Sequence, residues 1–159
     1  MDGYLNMLCK NNRGFTLIEL ISVLLIIGIV AAVVVSRAGT GNNEVIARIE
    51  VVKSHLRYAQ SRAMNSELIW GIQFSSSSYW LFKDSNINNK VTFPAEDSDT
   101  VNMSSGMSVG TEIVSFDSWG KPYTDAAGQT SQPNDRTITF LPSLTNHAII
   151  ITKNTGFIQ

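Results

Sequence analysis

The side chains that could do chemistry in this sequence fall into three small groups. Lys10 and Arg13 precede Gly14 and Phe15, and just behind them an apolar run holds a single carboxylate, Glu19. An unpaired carboxylate in a membrane segment costs roughly 2.5–3.5 kcal/mol on insertion scales, so the presence of Glu19 there needs a reason. Asp117 and Asp125 bracket a Trp-Gly-Lys-Pro-Tyr turn and could offer oxygen donors to a hard cation. Calcium takes about six to eight oxygens, however, and no close-spaced acidic loop accompanies this pair, so the spacing favours turn-shaping over metal binding. The two histidines, His55 and His147, lack ligand spacing: His55 reads as a surface residue on a helix and His147 as a structural one near the start of a strand. Cys9 is the only cysteine, which excludes an intrachain disulfide and a cysteine metal site. With no phosphate loop, no G-x-S-x-G and no ordered Ser/His/Asp set, the sequence reads as non-enzymatic and without a cofactor.

The element that must carry Glu19 is the apolar run itself. Across residues 17–35, sixteen of nineteen residues are apolar, the exceptions being Glu19, Ser22 and Gly28. As a helix rising ~1.5 Å per residue, residues 15–35 would reach about 32 Å, the thickness of a bilayer's hydrocarbon core. A cleaved secretory signal could use Lys10 and Arg13 as its basic region and Ser36-Arg37-Ala38 as its cut site, but its apolar part is normally only about 7–15 residues and uncharged. A soluble core helix would show an apolar stripe, whereas this run is apolar around its whole circumference. A membrane span fits best. By the positive-inside rule Lys10 and Arg13 stay in the cytoplasm and the C-terminal part lies on the far side.

The string Arg13-Gly14-Phe15-Thr16-Leu17-Ile18-Glu19-Leu20 closely resembles the type III signal of type IV prepilins and of the pseudopilins of type II secretion systems. Five features coincide at fixed spacing: a short basic leader, Gly before the cut, Phe after it, Glu as the fifth residue counted from that Phe, and then a spanning apolar helix. The resemblance implies that an inner-membrane aspartic prepilin peptidase cuts between Gly14 and Phe15 on the cytoplasmic side, and that the new Phe15 amine is N-methylated. It also implies that Glu19 pairs with the N-terminal amine of a neighbouring pilin or pseudopilin subunit, the contacts running through the N-terminal helix. Glycine before the scissile bond leaves room for the protease carboxylates, and an ion pair in low dielectric is strong enough to set the register between helices. The alternative for Glu19 is a side chain snorkelling to the lipid interface. The cut would remove Cys9, and with Asp2, Lys10 and Arg13 gone it would shift the formal side-chain charge from −1 to −2.

Beyond the run, the patch Ser36-Arg37-Ala38-Gly39-Thr40-Gly41-Asn42-Asn43 is expected to break or loosen the helix, since two glycines each cost about 1 kcal/mol against alanine. Asn43 could N-cap a restarted helix. From Glu44 onward Val45, Ile49, Val52, Leu56, Ala59 and Ala63 follow at spacings of 4, 3, 4, 3 and 4, one apolar face of an amphipathic helix. Glu44 with Arg48 and Glu50 with Lys53 sit at helical pair spacing, and Arg48, Lys53, Arg57 and Arg62 read as a solvated face in preference to a DNA stripe. Residues 65–159 carry five Lys/Arg against nine Asp/Glu, which argues against nucleic acid as a partner.

After Asn65 the texture becomes β. Residues 69–74 and 79–82 flank four serines as a hairpin, and 113–116, 137–141, 148–152 and 157–158 follow as strands, the last two joined by a tight turn over 153–156. Residues 84–112 are polar with little periodicity and are expected to form a long surface excursion. This order of elements is similar to the minor pseudopilin H and FimT-like minor pilin group. The expectation is an α+β protein, a long N-terminal helix packed on an antiparallel domain of two sheets. Its parts are a cleaved leader (1–14), a transmembrane assembly helix (15–38), an amphipathic helix (39–64) and a periplasmic β-rich domain (65–159). The protein would sit single-pass in a bacterial inner membrane and then in a pilus or pseudopilus. The rival is an adhesin or DNA receptor on the same anchor, although the tail Lys153–Gln159, with one charge, argues against DNA.

Overall fold

A computed structural model describes residues 15–38, 40–141 and 148–159, which form two compact units divided between Thr40 and Gly41. In the first, helix α1 runs over Leu17–Ala38. Thr16 caps it: the Glu19 amide donates to Thr16 Oγ1 at 3.3 Å and the Leu20 amide to the Thr16 carbonyl at 3.2 Å. The Ser22 hydroxyl donates back to the Ile18 carbonyl at 2.8 Å, so this polar group is satisfied within the helix. Leu17–Val34 has a mean hydropathy of 3.0 and none of it is buried.

The second unit begins with helix α2, Thr40–Met64. Residues 40–43 are helical, so the expected break at the glycine patch and the restart at Asn43 do not occur there; Gly39 lies outside the described residues. The cost of Gly41 is tolerated because packing further along anchors the helix. Ile49, Val52, Leu56, Ala59 and Ala63 are all buried and Val45 packs at the margin, as the spacing predicts.

Two antiparallel sheets face this stripe. The first is built on the hairpin of β1 (Trp70–Ser75) and β2 (Ser78–Lys83), whose register brings Ser75 opposite Ser78 across a two-residue turn. On the other side of β1 lies β6 (Glu112–Phe116), followed by β7 (Pro122–Tyr123). The outer side of β2 takes β3 (Asn86–Val91) and β4 (Val101–Asn102). Asp84 and Ser85, both at positive φ, form the two-residue β2–β3 turn, the geometry such hairpins favour. The second sheet has the order β5 (Ser108–Val109), β8 (Arg136–Leu141), β9 (Ala148–Ile151). After a turn, Ile158 bridges back to Ile151. Arg136 of β8 pairs with Glu112 of β6 and donates to the Ile113 carbonyl at 2.6 Å, tying one sheet to the other.

Residues 84–112 are therefore not a plain surface excursion. They contribute β3, β4 and β5 and bury Phe93, Val101, Met103, Met107 and Val109. Their apolar residues come as the pairs Val91/Phe93, Val101/Met103 and Met107/Val109, each two apart. That spacing turns both members of a pair to the same side, but each burst of alternation is too short to stand out from the polar sequence around it.

Candidate functional site

The first turns of α1 carry the candidate assembly site. Phe15 is 83% exposed, and Phe15, Glu19, Leu20, Val23 and Leu24 share one side of the helix. Glu19 is the third residue of α1, close enough to the positive end of the helix dipole to gain about 0.3–1 kcal/mol. That offsets only part of the roughly 2.5–3.5 kcal/mol needed to bury a carboxylate in lipid. No Lys, Arg or His occurs between Phe15 and Ser36, and Arg37 lies 18 residues along, about 27 Å up the helix at ~1.5 Å per residue. Among the described residues, a lipid-facing Glu19 has no cationic side chain within reach on its own helix. Lys10, Arg13 and Gly14 lie outside the described residues.

Glu19 has a second, local role that the sequence also spells: Thr16-Leu17-Ile18-Glu19 has the T-x-x-E spacing of a capping box, and the forward half of that box is formed.

The basic side of α2 is not a free solvated face. Arg48 donates to the Asn102 carbonyl instead of meeting Glu44, Arg57 donates to the Ile158 carbonyl at 3.0 Å, and the Arg62 guanidinium lies 4.9 Å from the centre of the Trp70 ring. Only Lys53 keeps its expected local pair, with Glu50 at 2.7 Å. Gln60 adds a further tie, its Nε2 lying 2.9 Å from the Gly120 carbonyl oxygen and 3.1 Å from those of Thr155 and Gly156. Arginine suits this seam, because its stem covers apolar surface while its planar head reaches carbonyls and ring faces.

His55 is not a surface residue either. It is 8% exposed, stacks on Phe93 at 3.9 Å, and shares a 2.9 Å hydrogen bond between Nδ1 and the Tyr79 hydroxyl. Its position three residues after Val52 and four before Ala59 places it beside the apolar stripe. Burial lowers its pKa from the usual 6.5, with Arg48 acting in the same direction and Glu96 opposing. His147 lies outside the described residues.

Asp117 and Asp125 each organise a turn. Asp117 Oδ1 accepts from the Trp119 and Lys121 amides, both at 2.9 Å, and Oδ2 from the Tyr123 hydroxyl at 3.0 Å. Burial, then this contact with Asp117, raises the Tyr123 pKa. Asp125 accepts from the amides of Ala127, Gln129 and Thr130, at 3.2, 3.1 and 2.6 Å. The slight burial of Asp125 raises its pKa, but hydrogen bonds from Thr130, Gln129 and Ala127 outweigh it and hold the carboxyl below its usual 3.8. Among the described residues no three His, Cys, Asp or Glu side chains come together as a metal-binding group.

A depressed carboxylate pKa contributes stability above the unfolded value and loses it as pH falls through the folded one. Asp125→Ala should therefore lower stability at neutral pH by about 1 kcal/mol, the usual worth of a side-chain cap. Its thermal melting curve should converge with that of the parent once the pH is well below 3.8. A difference that persists unchanged in strong acid would contradict this.

Comparison with known proteins bears on both ends of the chain. Residues 9–35 match the model of the prokaryotic N-terminal methylation motif. Among solved structures, the crystal structure of the type IV minor pilin FimU of Pseudomonas aeruginosa PAO1 is similar with a TM-score of 0.50 and 19% identity, over 76% of this chain and 90% of that one. The search of curated proteins found no match. The chain is thus pilin-like: an N-terminal methylation motif joined to a type IV pilin-like α+β fold, with an apolar N-terminal helix and a second helix on two antiparallel sheets.

Proposed function

We propose that this chain is a minor pilin or pseudopilin, a structural, non-enzymatic subunit that is matured by prepilin peptidase and assembled into a pilus or pseudopilus through α1. The observation that carries this reading is Glu19, an exposed carboxylate on an apolar span with no cationic side chain in reach among the described residues of its own helix, lying within the methylation motif. A charge that costs energy in lipid and finds no cationic side chain along its helix is suited to a partner supplied by another subunit. The N-terminal amine of Phe15 in a neighbouring subunit is that partner in this proposal.

Residues 1–14 are then the cytoplasmic leader, 15–38 the inner-membrane anchor and later the filament contact, and 39–64 with 65–159 the periplasmic part. The methylation-motif match over residues 9–35 and the fold likeness to a minor pilin are what support the pilin-like reading on which this division rests. Mass spectrometry of the protein from cells with and without prepilin peptidase tests it. With the peptidase the chain should begin at Phe15 carrying one extra methyl group; without it the leader should remain. An unchanged mass in the two strains, or a mature N-terminus elsewhere, would sink the proposal.

A further inference from the structure

We propose that His55 is an acid-released latch: neutral, it holds residues 92–99 against α2 through Phe93 and Tyr79, and once protonated it lets that segment part from the helix. The inference does not depend on the pilin reading.

Four observations support it. First, the imidazole packs into an aromatic cluster centred on Phe93, at the seam between elements. Its ring lies parallel to Phe93 at 9° and 3.9 Å, and Phe93 also meets Tyr79 edge-on at 5.9 Å and Tyr58 at 6.4 Å. Second, the Tyr79 hydroxyl is enclosed, its side chain being fully buried, and His55 is the group it bonds. A neutral imidazole can accept the tyrosine proton at Nδ1. An imidazolium has no free acceptor, so Nδ1 must donate and the buried O–H proton is left without its partner. The tyrosine cannot relieve this by ionising, because burial drives its pKa far above the usual 10.0.

Third, the charges facing His55 disfavour a second cation. Arg48, two turns earlier on α2, already places a guanidinium here with a buried Nε that has no hydrogen-bond partner. Among the described residues Glu96, on the latched segment, is the opposing charge, and Tyr79 of β2 is a further titratable neighbour. Fourth, the held segment is strained. Ala95 has a φ of 66°, a left-handed conformation that residues other than glycine rarely adopt. The Glu96 amide donates to the Phe93 carbonyl at 3.2 Å across this residue, so the segment carries its own turn and can part from α2 as a unit.

The segment's flanks are tied separately. Lys90 Nζ donates to Thr100 Oγ1 at 2.9 Å, and the Met103 amide to the Ser77 carbonyl at 2.8 Å. Opening would therefore stay local. A histidine whose folded pKa lies below its unfolded value contributes stability that is fully present above the unfolded pKa, here 6.5, and is lost as pH falls from there through the lowered folded value. The loosening therefore sets in below 6.5 and grows as the pH falls further.

Hydrogen exchange of the full-length chain in detergent micelles, at about pH 7.5 and about pH 5 and corrected for intrinsic rates, reads this directly. Protection over residues 92–99 should fall about tenfold or more in acid, while the segment after β9 holds. In His55→Phe, which keeps the stacking but cannot titrate, the acid-induced fall should vanish. The proposal is overturned if wild-type protection over 92–99 does not change with pH, if it falls equally everywhere, or if the fall survives in His55→Phe. Should that variant not fold, proton NMR of the His147→Gln chain follows the remaining histidine. Titration below pH 6.5 is the expected result, and titration at or above it overturns the latch.

Discussion

Gly156→Ala is expected to lower the melting temperature of the protein by about 10 °C or more. Gly156 follows β9 at a φ of 64°, and its amide donates to the Thr152 carbonyl at 2.9 Å to close the turn that returns Ile158 to the second sheet. A Cβ at this position would meet two obstacles at once. The left-handed backbone costs an L residue roughly 1–2 kcal/mol, and the added carbon would overlap the Gly120 carbonyl oxygen and lie 2.5 Å from Gln60 Nε2. A backbone oxygen cannot swing away as a flexible side chain could, so the 117–121 turn, the C-terminal turn or the Gln60 tie has to shift, for about 1–3 kcal/mol more. A total of about 2–5 kcal/mol is a large part of the roughly 5–15 kcal/mol that holds a typical domain folded. Gly110 is the control: it lies at no positive φ and a Cβ there meets nothing within 4 Å, so Gly110→Ala should stay within about 0.5 kcal/mol of the parent. Equal melting of the two variants would show that the C-terminal turn is not docked on α2 as described.

How far such features can be read from sequence depends on how long each pattern persists. The stripe Val45-Ile49-Val52-Leu56-Ala59-Ala63 spans five turns of helix and is legible outright, as is the hairpin around the four serines, where two aromatic-rich segments flank a polar turn. The strands in 84–112 are illegible for the opposite reason, each offering one alternating pair before turn residues intervene. The arginines of α2 look like a solvent face because helical spacing locates neighbours on the same helix only. The carbonyls of Asn102 and Ile158 that they reach lie 54 and 101 residues away in the chain. His55 stood within sight, since its spacing from Val52 and Ala59 places it beside the buried stripe; residue type outweighed position in reading it as exposed. At the candidate site the motif singles out Glu19 by spacing alone, and the fold adds its place in the first turn of α1 and the Thr16 cap beneath it. The same string therefore encodes a helix start and a charge with no local partner.

Those two roles make Glu19→Val the most informative substitution in the chain. The variant should insert in the membrane at least as well as the parent, because removing the carboxylate removes the roughly 2.5–3.5 kcal/mol it costs in a span. It should also still be cut and methylated, since Arg13, Gly14 and Phe15 are untouched. Incorporation into filaments should fall steeply. Breaking a buried ion pair from one side leaves the other charge uncompensated, typically for about 3–5 kcal/mol, or about a hundredfold or more in the association constant. Glu19→Gln keeps the shape and hydrogen-bonding capacity without the charge and should lose nearly as much, which separates electrostatics from packing. Thr16→Ala removes the helix cap while leaving the carboxylate in place. It should cost only about 1 kcal/mol in helix stability and spare assembly. If Thr16→Ala abolished incorporation as completely as Glu19→Val, the glutamate would matter through helix initiation. If Glu19→Val assembled normally, the intersubunit ion pair would be refuted. The distinction is measurable as the ratio of filament-associated to membrane-resident protein in the three variants, because only a partner on another subunit makes that ratio depend on the charge of Glu19 and not on the cap below it.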